Sequence, residues 1–132
     1  MTLDGQNIKE LQDKIINEAI SKVEILAGID LVYFLDNNHQ ILKEKNNTNV
    51  HNYLQQILSI INNSKPLATD SKPFHTYTFL NENGLIILTK ITTSENESLY
   101  MITIGGEHEP VDLINLLKIC KETRLKLQNV SL

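Results

Sequence analysis

Three hydrophobic runs in the second half of the chain predict a β-meander. Residues 74–80 alternate between aromatic or imidazole side chains and threonines, which is typical of a strand with two different faces. Residues 81–84, Asn-Glu-Asn-Gly, predict a tight turn, because Asn and Gly tolerate positive φ. Residues 85–92 and 99–104 are apolar on both pleat faces. We therefore expect three consecutive antiparallel strands in a sheet with helices over both faces.

The first third of the chain predicts a helix followed by a β-hairpin. Residues 8–26 carry one apolar stripe, and Gly28 suits the left-handed position after a helix. The stripe consists of Ile8, Leu11, Ile15, Ala19, Val23 and Leu26. Residues 31–35 are a continuous apolar run and predict a central strand, 36–39 a turn, and 40–45 a short return strand. The Lys and Glu side chains of the return strand suit an exposed sheet edge.

Residues 49–63 predict a second helix with an unusually wide apolar arc. At 100° per residue the apolar side chains span roughly 160°, more than the ~100° stripe of a surface helix. They are Val50, Tyr53, Leu54, Ile57, Leu58, Ile60 and Ile61. No charged residue lies between Lys45 and Lys65. A wide, uncharged arc is typical of the buried centre of a protein interface, and it also fits a helix that packs deeply within one subunit.

A loop and a third helix complete the predicted organisation. Residues 64–73 are bracketed by prolines and predict a loop. The last helix is predicted to have Pro110 near its first position, Asp112 in its first turn and an end near Val130. Its expected buried stripe is Leu113, Leu116, Leu117, Cys120 and Leu127. The order of elements is αββαβββα, and we expect one domain over residues 1–132.

Composition restricts the classes of function. The chain has 132 residues, of which 41% are hydrophobic and 21% charged, as in an ordinary globular protein. A net charge of −4 argues against nucleic acid as a partner. The apolar runs are too short to span a bilayer, and the first residues show no signal peptide. The single cysteine, Cys120, fits a reducing compartment. We expect a cytoplasmic protein.

The residues that could carry chemistry form no recognisable site. Gly105-Gly106 precedes a helix but lacks the Lys-Ser/Thr of a P-loop, so a plain strand-to-helix loop is the favoured interpretation. Glu107, His108 and Glu109 are adjacent, and neighbouring residues rarely converge on one metal ion. Cys120 lies on an apolar helix stripe, where a buried hydrophobe is the usual role. We expect no catalytic residue, no metal and no cofactor.

The pattern of elements resembles the Roadblock/LC7 family. The resemblance covers nearly the whole chain, and a sequence of elements rather than an invariant motif carries it. It rests on the helix at 8–26 that leads into 27–35, the helix at 50–61, the strands at 84–88 and 99–104, and the closing helix. The first hairpin, residues 36–40, departs from the family because it lacks the glycine often found there.

The resemblance implies an α+β fold with three layers, α/β/α. A five-stranded antiparallel sheet would carry the helix at 49–63 on one face and the terminal helices on the other. Family members are homodimers or heterodimers with a related Roadblock chain, joined through that helix and the third strand. They serve as non-catalytic platforms for small Ras-like GTPases or larger complexes. The expected interface residues are Val50, Tyr53, Leu54, Ile57, Ile60, Ile61, His75, Thr76, Tyr77 and Thr78.

One observation from the residues themselves supports this interpretation. The edge at 40–45 is guarded by charge, whereas the strand at 74–80 has no Lys, Glu or interior proline. The alternative is a PAS- or GAF-like sensor of small molecules, which also surrounds a five-stranded sheet with helices. A cavity between helix and sheet would favour the sensor, and a close-packed core would favour the platform.

Overall fold

The computed structural model contains two described helices and five strands. It describes residues 5–46, 59, 76–81, 84–92, 97–106 and 109–130. The elements are α1 (Gly5–Glu24), β1 (Ile29–Leu35), β2 (Ile41–Asn46), β3 (Thr76–Asn81), β4 (Gly84–Thr92), β5 (Ser98–Gly105) and α2 (Leu113–Gln128). The helix predicted at 49–63 lies outside the described residues except for Ser59, which is helical and exposed.

The five strands form one antiparallel sheet in the order β2-β1-β5-β4-β3. The hairpin of β1 and β2 joins the meander of β3, β4 and β5 where β1 pairs with β5 at the centre. Strands β2 and β3 are therefore the two edges of the described sheet. The predicted α+β class and the five-stranded antiparallel sheet are confirmed.

The terminal helices lie on the same face of the sheet. Helices α1 and α2 contact each other, and they also contact β1 and β4 respectively. Their buried side chains form one apolar cluster with strand residues such as Phe34, Ile87 and Met101, each at most 1% exposed. This arrangement agrees with the predicted position of the terminal helices.

The opposite face of the sheet is buried as well. Its cluster contains Leu31, Tyr33, Leu35, Leu88, Tyr100, Ile102 and Ile104, which are 0–7% exposed. No described residue of α1 or α2 belongs to this cluster. The cover predicted for this face, the helix at 49–63, lies outside the described residues.

Helix α1 differs from its prediction in its bounds and in its buried stripe. It begins at Gly5 and ends at Glu24, instead of running from 8 to 26. Leu11, predicted to be buried, is 38% exposed, while Ile16 and Ile20 are 2% and 8% exposed. The prediction was wrong because α1 packs against both the sheet and α2, so its buried arc turns toward the side where these two surfaces meet.

Helix α2 also differs from its prediction. Leu113 and Leu117, predicted to be buried, are 39% and 38% exposed, because they lie on a flank that no described helix covers. Asp112 is the N-cap, and its Oδ1 accepts a hydrogen bond of 3.2 Å from the backbone N–H of Asn115. Pro110 therefore precedes the cap instead of occupying the first turn. Thr123 is buried as well, and its Oγ1 is satisfied by donating to the carbonyl oxygen of Ile119 at 2.7 Å.

The first hairpin turns without glycine. His39 adopts a φ of 63°, the left-handed conformation that glycine supplies in many turns. Asp36 Oδ1 accepts hydrogen bonds from the backbone N–H groups of Asn38 and Gln40 at 2.8 and 2.9 Å. The His39 ring packs edge-on against Tyr100, with the ring centroids 5.4 Å apart. These contacts hold a residue other than glycine in the left-handed conformation.

Candidate functional site: an edge strand and its adjoining groove

The edge strand β3 presents its threonines on the same face as the terminal helices. Thr78 and Leu80 stand opposite Ile87 and Leu85 of β4, which pack into the cluster beneath α1 and α2. Directly opposed residues of antiparallel strands point to the same face. Leu80 is nevertheless 80% exposed. The terminal helices therefore leave the β3 edge of their own face uncovered.

The predicted interface residues on β3 divide between the two faces. Thr76 and Thr78 are exposed on the face of the terminal helices, whereas Tyr77 is half-buried against the cluster of the opposite face. The alternation predicted for this strand is therefore present. The other predicted interface residues lie outside the described part of the chain: Val50, Tyr53, Leu54, Ile57, Ile60, Ile61 and His75.

An open apolar groove lies between β3 and the beginning of α2. Its volume is about 320 Å³, and its lining consists of Thr78, Leu80, Gly84, Leu85, Gly106, Pro110, Val111 and Leu113. Sequence reasoning missed this groove because it placed Leu113 in the core. The sequence did contain one sign of an apolar surface here. Leu80 lies on the strand face of the threonines and not on that of the aromatic residues.

Three backbone segments meet tightly behind the groove. The N–H of Gly28 donates to Glu109 Oε1 at 3.1 Å, and the N–H of Gly106 donates to the carbonyl oxygen of Gly28 at 2.8 Å. Gly28 has a φ of 83°, and a Cβ there would lie 2.7 Å from the carbonyl oxygens of Glu109 and Pro110. An added Cβ at Gly105 would overlap the carbonyl oxygen of Gly28. Gly105-Gly106 is thus a strand-to-helix connection, as predicted.

The described side chains around this surface offer little chemistry. Glu109, one of the three adjacent candidate metal ligands, accepts the Gly28 hydrogen bond, and Glu107 and His108 lie outside the described residues. Burial raises the pKa of the Cys120 thiol, and the neighbouring Thr89 hydroxyl partly opposes that rise. Among the described residues, no group of three or more His, Cys, Asp and Glu side chains could hold a metal ion.

The two described helices are surface helices of the domain. Both have charged residues along their exposed sides, and neither combines the length and the apolar character that a membrane-spanning helix requires. An ion pair, Lys22 Nζ to Glu122 Oε2 at 3.4 Å, links α1 and α2 on that exposed side. The side of α1 and α2 away from the sheet is therefore a solvated, charged surface.

Comparison with known proteins shows the fold by structure alone. No protein-family model and no curated protein matches the sequence. The gliding protein MglB from Thermus thermophilus superposes with a TM-score of 0.64 at 12% identity, over 98% of this chain and 94% of that one. An MglB structure with a tetrameric arrangement also superposes with a TM-score of 0.64 at 12% identity. The match covers 98% of this chain and 93% of that one.

Two further structures match less closely. A Roadblock/LC7 domain from Streptomyces avermitilis has a TM-score of 0.52 at 11% identity, over 83% of this chain and 94% of that one. The chain has a Roadblock/LC7-type, MglB-like fold. LokiProfilin2, from a complex with rabbit actin, also has a TM-score of 0.52, at 19% identity and over 90% and 96% of the two chains.

The two edges of the described sheet differ in charge. At the β2 edge, residues 41–45 are all exposed and include Lys43, Glu44 and Lys45. Lys45 also forms an ion pair with α1, with its Nζ 3.7 Å from Glu24 Oε1. At the β3 edge the described strand Thr76–Asn81 has no charged residue. The candidate functional site of this Roadblock/LC7-type chain is therefore the β3 edge with its adjoining groove.

Proposed function

We propose that the chain is a non-catalytic, dimeric interaction platform that binds or regulates a small Ras-like GTPase or scaffolds a larger complex. One observation carries the proposal: of the two edges of the described sheet, only β2 is guarded by charge. An uncharged edge strand is a template for pairing with another chain. A surface that recruits partners is the function that such an edge supports best.

The proposed dimer joins two copies of β3 antiparallel to each other. The pair Asn81–Gly84 flanks a two-residue connection, so these two residues exchange both of their backbone hydrogen bonds. Because amides alternate along a strand, the N–H groups of Thr76, Thr78 and Leu80 then point away from β4. Each new main-chain bond contributes only about 0.5–1.5 kcal/mol. The predicted helix at 49–63 would therefore supply most of the dimer's affinity.

Two lines of similarity support the platform. The Roadblock/LC7 family, which the sequence resembles, consists of dimeric platforms for Ras-like GTPases and motor complexes. Among proteins of the same fold, one MglB structure has a tetrameric arrangement. On the face of the terminal helices, the buried members of the core cluster are 0–9% exposed, which supports a platform more than a PAS- or GAF-like sensor.

Replacing Thr78 with proline tests the dimer. The substitution removes an outward amide and leaves the bonds to β4 in place. We expect Thr78→Pro to be folded by circular dichroism and monomeric by light scattering, at concentrations where the wild type has the mass of a dimer. Thr78→Ala, which keeps the amide, is the matched control and should remain dimeric. A Thr78→Pro protein with unchanged mass, or a monomeric wild type, would contradict the proposal.

A further inference from the structure

We propose that the groove between β3 and the adjacent flank of α2 binds a peptide segment that carries apolar side chains followed by acidic ones. The proposal gives the chemistry of a partner for the platform and rests on that proposed function, but it does not require the dimer. We call this surface the β3–α2 groove. It consists of the groove lining described above, extended along α2 by Leu117, Lys121 and Arg124.

The apolar end of the β3–α2 groove lies near the β3–β4 connection. Leu80 is 80% exposed and faces Leu113, which is 39% exposed, across the groove. Leu117 is 38% exposed and continues the same flank of α2 one turn later. Leu85 and Val111 line the groove and also pack against the core. The surface is thus a concave apolar strip with a fixed base, not a scatter of single exposed residues.

The flank of α2 that faces β3 becomes basic toward its C-terminus. The opposite flank is fixed by Glu122, which pairs with Lys22 of α1. At 100° per residue, Arg124 falls within about 20° of Leu117, and Lys121 within about 40°. Arg124 is half-buried, and its Nη1 donates to Gln128 Oε1 at 3.3 Å. Its guanidinium group keeps further donors for a carboxylate.

The described acidic groups near the groove are at its apolar end and already have partners. Glu109 Oε1 accepts from the N–H of Gly28. Asp112 accepts through both oxygens from Asn115, from the backbone N–H at 3.2 Å and from Nδ2 at 2.6 Å. The groove therefore has an apolar end and a basic end, which defines a direction for whatever binds it.

Charge complementarity selects a partner segment over a second copy of this edge. The described strand Thr76–Asn81 carries no carboxylate, so a copy of β3 has nothing to offer Arg124 and Lys121. A segment with leucine-like side chains followed by Asp or Glu satisfies both ends. We infer an apolar–acidic peptide as the occupant.

Selection from a random-peptide display library tests the inference. Wild-type protein is the target, and the double variant Leu80→Ser/Leu113→Ser is used to remove peptides that bind elsewhere. We expect a consensus of apolar residues followed by Asp or Glu. The consensus peptide, synthesised with a fluorophore, should bind the double variant at least about tenfold more weakly, since each leucine loses its buried area. Ile25→Ser is the matched control, because Ile25 is 83% exposed on another surface.

A double-mutant cycle tests the charged contact. Arg124→Gln and replacement of the peptide's acidic residues by their amides should each weaken binding about two- to fivefold. Made together, they should cost little more than either alone, because both remove the same contact. Losses that multiply would overturn the assignment of the acidic end to Arg124.

Three other results would overturn the proposal as a whole. The first is a library that enriches no peptide, and the second is a consensus without acidic residues. The third is a fall in the mass of the Leu80→Ser/Leu113→Ser protein from dimer to monomer, which would show that a second copy fills the groove. Light scattering on Thr78→Pro separates this outcome from failure of the proposed edge pairing.

Discussion

At the scale of single residues, the hydroxyls of Thr89 and Thr103 are buried without a hydrogen-bond partner among the described residues, and Thr103 offers the simpler test. Thr103 of β5 lies between Ile87 and Val32 on the face of the terminal helices and is 1% exposed. Its Oγ1 has no hydrogen-bond partner within the described structure. A buried polar group without a partner lowers the stability of a fold. The centre of this sheet therefore carries an energetic cost that an isosteric substitution can remove.

Thr103→Val replaces that hydroxyl with a methyl group of the same shape. We expect the free energy of unfolding to rise by about 1 kcal/mol, measured by urea denaturation. Thr78→Val, on the exposed edge of the same row of residues, is the control and should change stability by less than about 0.5 kcal/mol. A loss of stability in Thr103→Val would mean that the hydroxyl is hydrogen-bonded, for example to a buried water molecule.

At the scale of elements, β1 and β5 each place one buried tyrosine on the second face of the sheet. Burial raises the pKa of Tyr33 above its usual 10.0, and the charge of Glu44 on the neighbouring strand adds to the rise. Burial also raises the pKa of Tyr100, and a hydrogen bond with Ser98 offsets only part of that rise. In both cases the folded protein holds a phenol proton that the unfolded chain loses at lower pH.

This difference predicts a fall in stability with rising pH. The contribution of both tyrosines is fully present below about pH 10 and is lost as the pH rises through their folded-state pKa values. We expect the urea midpoint to fall above about pH 10, and to fall less steeply in Tyr33→Phe and Tyr100→Phe. Equal slopes in wild type and both variants would contradict the assignment to these two phenols.

At the scale of the whole molecule, the two edges of the described sheet differ in charge and in the surface beside them. The β2 edge is charged and exposed, while the β3 edge combines outward amides with an apolar groove. In the proposed dimer the β2 edges would lie at the outer ends of a continuous sheet. The platform would then offer partners a single seam with a β3–α2 groove on each side of it.

The proposed GTPase partner is tested with Ras-like GTPases from the organism that carries this chain. Each GTPase, loaded with a fluorescent GDP or GTP analogue, is titrated with the wild type and with Thr78→Pro. We expect at least one GTPase to bind the wild type in one nucleotide state, and binding to weaken in the monomeric variant. Thr78→Ala should behave as wild type. If no GTPase binds, the GTPase part of the proposed function is wrong and the scaffold part remains.

The strands were predictable because their signals are local. Alternation along β3, continuous apolar runs in β4 and β5, and charge on β2 depend only on neighbouring residues and the two-residue period of a strand. The same reasoning was less accurate for α1 and α2. A helix has a continuous surface, so its periodicity shows that one arc is buried but not which flank meets a neighbour. Leu11, Leu113 and Leu117 were misplaced for that reason.

The amino-acid sequence was sufficient for the order of the described elements, the α+β class and the contrast between a charged and an uncharged edge. These properties follow from backbone periods and side-chain types within each segment. The β3–α2 groove required the folded chain. Leu80 and Leu113 belong to separate elements, and the close contact of Gly28 with Gly105 fixes the connection that leads into α2. Contacts between distant segments depend on how the layers pack, and no local period in the sequence encodes them.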